Sequence, residues 1–215
     1  MLRNIYIYLR NNISKTRFFW KYRHLFEPSI WKGYQEDYNS DRRDYYFNLI
    51  KTKKLNSIFE FGCASGPNFF SIKKNIKQFI YYGYDISNSA IKSVKNQNND
   101  QVIFTNKLSK NHLKNFLDKN TSSKFDLTIF DRVLYMLNEN QIIQLLDEIS
   151  EFLDYVLIED FYALKPTWDN EKYIFAKNYI NIFKQYGFIL IENNKSKMKS
   201  SSAQNFARRI LLKRK

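Results

Sequence analysis

The chain has 215 residues, a formal net charge of +14, a single cysteine and two histidines. A chain of this length predicts one domain with a full hydrophobic core, and because no apolar run approaches about 18 residues, a membrane-spanning helix is not expected. One cysteine excludes an internal disulfide, two distant histidines argue against a metal site, and the N-terminus lacks a signal-peptide core, so we expect a cytoplasmic protein without a bound metal.

The positive charge is concentrated at the two ends of the chain. Residues 1–24 contain six basic side chains and residues 195–215 contain eight, with no acidic residue in either segment. The rest of the chain has 21 basic and 21 acidic residues and is neutral. Two basic ends are suited to a phosphate-bearing substrate, to RNA or to peripheral contact with an anionic membrane surface. Solvated charge without a partner is the alternative, and the sequence does not decide between them.

The first 50 residues are predicted to be helical. Leu2, Ile5, Leu9 and Ile13 recur at the spacing of one helix face. A second set of apolar residues with the same spacing precedes Pro28, which ends the pattern. This segment has no strand pattern, so we expect it to stand apart from the α/β core that follows.

Residues 57–66 form the most informative segment. An apolar run that ends at Phe61 predicts a buried strand, Gly62 and Gly66 predict a loop, and Pro67 is suited to the first turn of a helix. Glu60 lies near the end of the strand, where a carboxylate is costly to bury without a partner. A nucleoside with an amino-acid tail offers such partners through its hydroxyls and, by way of water, its ammonium group.

Polar residues also follow the next three predicted strands, which are residues 79–84, 101–105 and 125–130. These residues are Asp85, Asn106 and Asp131. Asp85 comes 23 residues after Gly62, and an acid at about this distance from a glycine loop can accept hydrogen bonds from both ribose hydroxyls. A helix N-cap is the alternative for Asp85. The carboxyl ends of parallel strands share one edge of a sheet, so the three side chains are expected to lie together.

Helix and strand patterns alternate along the rest of the chain. Helices are predicted over residues 69–77, 87–97, 111–119, 142–152 and 173–186, with Asn138 as a plausible cap of the fourth. The last strands are expected over residues 155–158, 188–191 and 207–212, with residues 193–202 as a loop. This alternation predicts an α/β fold, with a mostly parallel sheet and helices on both faces.

The pattern of Glu60, Gly62, Ala64 and Gly66 resembles motif I of the class I S-adenosylmethionine-dependent methyltransferases, an acidic residue followed by Gly-x-Gly-x-Gly. Ala64 departs from the commonest form, but a small residue still lets the backbone approach a cofactor. A phosphate-binding P-loop and a dinucleotide-binding loop would each need glycine where Pro67 stands.

The resemblance implies both a fold and a cofactor. The fold is a Rossmann-like doubly wound sheet of seven strands, mostly parallel with an antiparallel last strand, preceded by N-terminal helices. The cofactor is S-adenosyl-L-methionine, with Asp85 on the ribose and Asn106 near the adenine amino group. The expected cofactor-binding residues are Glu60, Gly62, Cys63, Ala64, Ser65, Gly66, Asn68, Asp85, Ile86, Asn106 and Asp131.

Residues 131–137 resemble motif IV of the same family, although Tyr135 and Met136 stand where histidines often occur. We therefore expect Asp131 and Tyr135 as the catalytic residues, with Asp131 as a positioning group or base. A cap or a salt bridge with Arg132 is the alternative for Asp131. Glu159 and Asp160, which follow the fifth strand, are expected to face the same space.

The resemblance divides the chain into two parts. Residues 1–50 are expected to form a helical lid that helps to select the substrate, and residues 51–215 the cofactor-binding domain. Arg42 and Arg43 are candidates for contact with the carboxylate of the cofactor, since arginine matches carboxylate geometry.

Three functions remain open at this point. The first is methyl transfer to an oxygen or nitrogen of a small or medium metabolite, for example a sugar or a cell-envelope precursor. The second is an RNA-modifying methyltransferase that uses the basic termini. The third is a non-catalytic module that binds the cofactor or a partner, because fold does not fix function.

Overall fold

The structure, a computed structural model, describes residues 17–25, 29–36, 41–169, 174–196 and 205–215. Within these ranges short apolar runs form nine strands, and seven of them build one sheet. The strands are β1 (Ser57–Phe61), β2 (Ile80–Tyr84), β3 (Val102–Thr105), β4 (Phe125–Asp131), β5 (Leu153–Phe161), β6 (Thr167–Asp169), β7 (Ile174–Ala176), β8 (Phe188–Lys195) and β9 (Ala207–Arg214).

The described part of the chain also contains eight α-helices and four 3₁₀ turns. The α-helices are α1 (Arg17–Tyr22), α2 (Ile30–Glu36), α3 (Asp41–Lys53), α4 (Pro67–Asn75), α5 (Asn88–Val94), α6 (Lys110–Lys119), α7 (Glu139–Ile149) and α8 (Tyr179–Lys184). The 3₁₀ turns are Arg23–Leu25, Lys95–Gln97, Leu134–Met136 and Ser150–Phe152. Asn138 caps α7 through a reciprocal capping box with Gln141, as its position predicts. Among the described residues, none of the helices has the length and apolar character needed to cross a bilayer.

The strand order in the sheet is β3-β2-β1-β4-β5-β9-β8. Strands β1 to β5 are parallel, and β9 runs antiparallel to both β5 and β8. The predicted seven-stranded, mostly parallel sheet with an antiparallel last strand is therefore confirmed. The strand order reverses between β1 and β4, so a crevice is expected at the carboxyl ends of these two strands.

Each face of the sheet has its own apolar core. On one face Tyr46 and Ile50 of α3 belong to a buried cluster with Ile58 of β1. On the other face Leu146 of α7 belongs to a second cluster with Phe130 of β4. Because both faces are covered, the strands are fixed, and the polar residues at their carboxyl ends stand on a rigid frame.

The predicted helix over residues 173–186 is wrong in its first half. Ile174–Ala176 forms β7, which pairs antiparallel with β6, and α8 begins only at Tyr179. Isoleucine and phenylalanine favour strands, and Asn178 supplies a later helix start because its side chain accepts the N–H of Asn181 at 3.1 Å. Strand pairing here prevails over an apparent helical spacing.

Two further boundaries differ from expectation. Strand β8 continues to Lys195, so the first residues of the predicted loop 193–202 pair with β9. Strand β5 runs from Leu153 to Phe161 and is longer than the predicted 155–158. The predicted helix through Leu2 and Ile13 lies outside the described residues.

Candidate active site

The loop between β1 and α4 is a tight turn of small residues. Gly62 and Gly66 have φ angles of 80° and 77°, and Ala64 has a φ angle of 47°, all in the left-handed region that favours glycine. A Cβ atom on Gly62 would stand 2.7 Å from the Cγ2 atom of Val133. The loop therefore presents nearly bare main chain at the carboxyl edge of the sheet.

Asp85 follows β2 and joins this loop to the start of α5. Its Oδ2 atom accepts the N–H of Ala64 at 2.9 Å, and its Oδ1 atom accepts the N–H of Ser87 at 2.8 Å. Burial raises the pKa of Asp85 to about 6, although the side chain is partly exposed. Ser87, not Asp85, is the N-cap of α5, so the helix-cap alternative for Asp85 is wrong. Each carboxylate oxygen keeps a lone pair for a ligand.

Glu60, the acid of the glycine motif, is only 2% exposed. Its Oε1 atom accepts a hydrogen bond from Nδ2 of Asn68 at 2.8 Å, and its Oε2 atom accepts a short one from the hydroxyl of Tyr81. Burial raises the pKa of Glu60 to about 7 against the opposing effect of the Tyr81 hydrogen bond. The chain itself satisfies both oxygens, and direct contact of Glu60 with the cofactor stays a prediction. Tyr81 has no sequence signal beyond that of a core aromatic residue.

Asn68 links Glu60 to the end of β4. Its Nδ2 atom also donates to Oδ2 of Asp131 at 3.1 Å, while its Oδ1 atom accepts from Nε of Arg43 at 2.7 Å. Arg43 is 2% exposed, so this side chain of α3 lies inside the domain. The side chain of Asn68 is thus engaged by three residues of the chain, and its expected contact with the cofactor remains a prediction.

Asp131 lies where β4 ends, beside two arginines. Nη2 of Arg42 is 3.2 Å from Oδ2 of Asp131, and Nε of Arg132 is 3.5 Å from Oδ1. Arg42 is the closer partner, so the expected pairing with Arg132 is the weaker of the two. Within the described residues Oδ1 is buried and has no hydrogen-bond partner. An unsatisfied buried carboxylate oxygen is costly, which points to a ligand or a water molecule at this atom.

The turn after β4 is held from two sides by buried charged residues. Oδ2 of Asp160 accepts the N–H groups of Val133, Leu134 and Tyr135 at 3.1, 2.8 and 3.2 Å. Nζ of Lys177 donates to the carbonyl oxygens of Leu134 and Tyr135, both at 3.3 Å. Burial raises the pKa of Asp160 to about 7 and lowers that of Lys177 to about 8. Asp160 therefore faces this turn rather than open space, which corrects the expectation for it.

The other strand-end acid, Glu159, is also buried by the fold. Its Oε2 atom accepts from Nε of Arg209 at 2.7 Å, and Ser196 donates to Oε1. Burial raises the pKa of Glu159 against the opposing effect of Arg209. The ring of Tyr135 packs edge-on against Phe161, with 5.2 Å between centroids. Of the residues expected at the acceptor side, Asp131 ends β4, Tyr135 is half-buried in the turn that follows, and Glu159 is part of an internal ion pair.

Helix α2 contacts both the glycine loop and the start of α5 through Trp31. Nε1 of Trp31 donates to Oγ of Ser89 at 2.8 Å, and the carbonyl oxygen of Trp31 accepts from Oγ of Ser65 at 2.7 Å. Ser65 belongs to the glycine loop and Ser89 to the first turn of α5. Trp31 itself is 7% exposed. A segment that precedes the sheet thus links the loop after β1 to the first turn of the helix after β2.

The remaining predicted residues differ in their surroundings. Cys63 is buried in the glycine loop, and burial raises the pKa of its thiol well above the ordinary value, as expected of a packing residue. Ile86 is partly exposed between Asp85 and the helix cap. Asn106 is exposed after β3 and donates a short hydrogen bond to Oδ1 of Asn88, apart from the Glu60–Asn68–Asp131 network.

The basic C-terminal end is partly used by the fold itself. Besides its pairing with Glu159, the guanidinium of Arg209 lies 4.1 Å from the ring centroid of Tyr45. Nη1 of Arg214 donates a short hydrogen bond to the carbonyl oxygen of Ser150. Nζ of Lys213 lies 4.9 Å from the ring centroid of Tyr155. These three cations therefore have structural partners, and they are not a free anion-binding surface.

The site has features that fit an adenosyl cofactor with an amino-acid tail. The glycine loop allows close approach to its main chain, Asp85 has lone pairs at a partly exposed position, and Oδ1 of Asp131 lacks a partner among the described residues. The three features stand at the carboxyl ends of β1, β2 and β4, which are neighbours in the sheet. They could therefore contact one ligand at the same time.

Comparison with known proteins agrees with this arrangement. Residues 59–154 match the sequence profile of the family described as "Methyltransferase domain". Magnesium protoporphyrin IX methyltransferase from Synechocystis, solved with bound S-adenosylmethionine, is 14% identical with a TM-score of 0.61, over 95% of this chain and 97% of that one. The methyltransferase domain of bacterial CtHen1 is 14% identical with a TM-score of 0.61, over 83% and 99% of the two chains.

A third similar structure comes from a biosynthetic assembly. It is the O-methyltransferase of a trans-AT PKS multienzyme from Brevibacillus brevis, in complex with S-adenosyl-L-homocysteine. It is 13% identical with a TM-score of 0.56, over 80% of this chain and 71% of that one. No curated protein matches the chain. Identities this low establish a shared fold and leave the acceptor open.

The glycine loop, the sheet order and the family match together define the class. Residues 59–154 carry a methyltransferase domain, and the described fold is that of the class I S-adenosylmethionine-dependent methyltransferases. The predictions of a methyltransferase and of S-adenosylmethionine as its cofactor are confirmed at this level.

Proposed function

We propose that this methyltransferase transfers its methyl group to an oxygen or nitrogen of a small or medium metabolite, with sugars and cell-envelope precursors as the first classes to examine. The observation that supports the site most directly is the Oδ1 atom of Asp131, which has no hydrogen-bond partner among the described residues. It is buried at the end of β4, one strand away from the glycine loop. A group that reacts beside the cofactor would lie within reach of this edge.

The cofactor is proposed to bind across the ends of β1, β2 and β3. The main chain of residues 62–66 would lie against it, Asp85 would accept hydrogen bonds from the ribose hydroxyls, and Asn106 would lie near the adenine. Glu60 and Asn68 would act from behind the loop, because Nδ2 of Asn68 donates to Glu60 at 2.8 Å and to Asp131 at 3.1 Å. The bare loop and the partly exposed Asp85 support this placement.

When bound, S-adenosylmethionine supplies a methyl group that is attached to a positively charged sulfur. The thioether that remains after transfer is a good leaving group. The chain has mainly to orient the acceptor, and orientation can contribute roughly 7–11 kcal/mol. Arg42 and Asn68 hold Oδ2 of Asp131, and Oδ1, which has no hydrogen-bond partner in the described part of the chain, would accept a hydrogen bond or a proton from the acceptor. Tyr135, on the turn fixed by Asp160 and Lys177, would flank the acceptor.

The N-terminal segment is proposed to cover the site and to help select the acceptor. Trp31 joins the glycine loop to the first turn of α5, while Arg42 and Arg43 of α3 reach Asp131 and Asn68. Arg42 and Arg43 were expected near the carboxylate of the cofactor. Their contacts with Asp131 and Asn68 instead favour a role in fixing the acidic side chains of the site.

RNA modification is less well supported. Part of the C-terminal basic cluster is bound within the fold, and three of the six basic residues of the N-terminal cluster lie outside the described residues. Contact of residues 1–26 with an anionic membrane surface has no support in the described residues either. Both remain outcomes for experiment, by salt-dependent RNA binding and by co-sedimentation with anionic vesicles.

The test combines binding with turnover. Calorimetry with S-adenosylmethionine and S-adenosylhomocysteine should show one saturable site. Transfer of label from the cofactor should then be measured with pools of metabolites and, separately, with RNA. Label in a small-molecule fraction supports the proposal, and label only in RNA favours the second function. Cofactor binding with no transfer to either pool would favour a non-catalytic module.

A further inference from the structure

Arg132 has an unusual backbone conformation beside the proposed site. Its φ angle is 53°, which places a long side chain in the left-handed region where glycine and asparagine are tolerated best. The N–H of Arg132 donates to the carbonyl oxygen of Glu159 at 2.9 Å, so the main chain is fixed in this conformation. Strain of this kind recurs at functional sites, so the side chain of Arg132 is a candidate for a functional role.

The position of Arg132 is defined on two sides. It follows Asp131 directly, and its Nε atom is 3.5 Å from Oδ1 of Asp131, the oxygen that lacks a hydrogen-bond partner. The next residue, Val133, packs so closely on Gly62 that a Cβ atom there would come within 2.7 Å of Cγ2. Arg132 therefore lies between the glycine loop and the end of β5, beside the proposed acceptor position.

The buried acids at this edge of the sheet already have cations of their own. Asp131 is paired with Arg42 at 3.2 Å, and Glu159 with Arg209 at 2.7 Å. The charge of Arg43 lowers the pKa of Glu60, and the charge of Lys177 lowers that of Asp160, each against the larger effect of burial.

Arg132 is a fifth cation at this edge. Its side chain is 41% exposed, whereas that of Arg42 is 11% exposed. Its contact with Asp131 at 3.5 Å is longer than an ordinary hydrogen bond. The acids at the site already have other cations of their own, so their neutralisation does not explain the presence of Arg132.

We propose that Arg132 binds a negatively charged group, a carboxylate or a phosphate, on the acceptor. This inference rests on the proposed methyl transfer at this edge of the sheet. The planar guanidinium can bind either group through two parallel hydrogen bonds. S-adenosylmethionine carries two positive centres and one carboxylate, so the complex with the cofactor is more positive and favours an anionic acceptor.

The test uses acceptors in matched pairs that differ in charge. 4-Hydroxybenzoate is compared with 4-hydroxybenzamide, and glucose 6-phosphate with glucose, so that the two arms separate carboxylate from phosphate. Binding is read from the thermal shift of the protein saturated with S-adenosylhomocysteine, which needs no turnover, and methylation from labelled S-adenosylmethionine.

The variants are Arg132→Asn, Arg132→Lys and the control Lys77→Asn. Asparagine removes the charge but tolerates the left-handed backbone, so Arg132→Asn should not lower the melting temperature. Lys77 is an exposed loop residue far along the chain from this site, and its replacement makes the same change in net charge.

We expect an anionic probe to bind the wild type more tightly than its neutral partner. Arg132→Asn should weaken binding of the anionic probe by about tenfold or more, as expected for a lost charged hydrogen bond. Binding of the neutral probe should not change. Arg132→Lys should recover part of the affinity because it keeps the charge, and Lys77→Asn should behave as the wild type. The affinity for S-adenosylhomocysteine should not change in any variant.

Several results would overturn the inference while the proposed function stands. They are equal binding of charged and neutral probes, no response to either anionic probe while S-adenosylhomocysteine binds, or equal losses for both members of a pair in Arg132→Asn. Weaker binding of S-adenosylhomocysteine to Arg132→Asn would assign Arg132 to the cofactor instead. Failure of the wild type to bind either form of the cofactor would reject the proposed function itself.

Discussion

Arg43 and Asn68 form a buried hydrogen bond in which Nε of the arginine donates to Oδ1 of the amide at 2.7 Å. This bond fixes the orientation of the amide, because only the oxygen can accept from a guanidinium. The NH₂ group must then point toward Glu60 and Asp131, to which it donates at 2.8 and 3.1 Å. Arg43 of α3 thus orients the amide of Asn68, which donates hydrogen bonds to the carboxylates at the ends of β1 and β4.

Replacement of Asn68 with aspartate should be strongly destabilising. It would place a third carboxylate against Glu60 and Asp131 and remove the hydrogen bonds to both, a change of about 3 kcal/mol or more. The free energy of unfolding in urea measures the effect. Asn115→Asp makes the same chemical change at an exposed position of α6 and should cost less than about 0.5 kcal/mol. Similar losses in the two variants would contradict the network.

The raised pKa of Glu60 predicts a pH-dependent stability. The folded protein holds a proton on Glu60 up to a pKa of about 7, while the ordinary value is 4.5. Between these values the folded state binds more protons than the unfolded state, so this group stabilises the protein at low pH and loses that contribution as the pH rises through 7. Glu60→Gln imitates the protonated form and removes the titration.

The free energy of unfolding of Glu60→Gln, measured relative to that of the wild type, should therefore be about 2–3 kcal/mol higher at pH 8 than at pH 5. Glutamine can still accept from Asn68 and donate to the oxygen of Tyr81, so the variant is expected to fold. Chemical denaturation at the two pH values gives the difference. Glu148→Gln, at an exposed position of α7, is the control, and a pH-independent difference for Glu60→Gln would refute the buried titration.

The sequence predicts the frame of the site because local rules and tertiary structure agree there. Residues 57–67 combine a strand, a loop that needs small residues and a helix start, and each has its own signal. The acids and amides at 85, 106 and 131 follow because parallel strands end at one edge. The fold class and most element positions are set by these same alternating patterns.

Pairing across the sheet is what the sequence does not reveal. Tyr81 lies 21 residues from Glu60, and the sequence predicts only a core aromatic residue there. In the structure its hydroxyl donates to the carboxylate of Glu60. Lys177 is predicted to lie in a helix, because the apolar residues around it have helical spacing. Asp160 reads as a crevice acid, whereas its carboxylate accepts backbone N–H groups from 133–135. Each of these roles depends on a long-range contact that no local pattern encodes.

Alanine at position 62 should disturb the loop both sterically and conformationally. A φ angle of 80° and a Cβ position 2.7 Å from Val133 predict a loss of about 2–4 kcal/mol in the free energy of unfolding. Gly187 has a φ angle of 82° but open space around its Cβ position, so Gly187→Ala should cost only about 1 kcal/mol. The excess for Gly62 should shrink when Val133 is also replaced with alanine, as a double-mutant cycle would show.

Asp85→Ala should weaken binding of S-adenosylmethionine by about 1–3 kcal/mol, through loss of charged hydrogen bonds to the ribose. Asp126 offers a matched control, because its Oδ2 atom also accepts two backbone N–H groups, from Asn56 and Ser57 at 2.7 and 2.9 Å. It lies at the opposite end of β4. Both variants should lose stability, but only Asp85→Ala should lose affinity in calorimetry, and unchanged affinity would reject the proposed ribose contact.

Trp31→Phe tests whether α2 acts as a lid over the cofactor. The variant keeps an aromatic ring but removes the Nε1–H that donates to Ser89 at 2.8 Å, so one of the two links between α2 and the crevice is lost. A lid controls release more than capture. Dissociation of S-adenosylhomocysteine should therefore become about fivefold to tenfold faster, as expected from loss of one hydrogen bond, with little change in the association rate.

Tyr34→Phe is the control for this prediction, since it removes the hydroxyl that accepts from Nη1 of Arg23 at 2.8 Å. That contact lies on the same helix but joins it to the preceding 3₁₀ turn and not to the cofactor loops. Stopped-flow displacement should find wild-type dissociation in Tyr34→Phe. If both variants release the cofactor equally fast, the effect arises from general loosening of α2, and the bridge from Trp31 to Ser89 is not what retains the ligand.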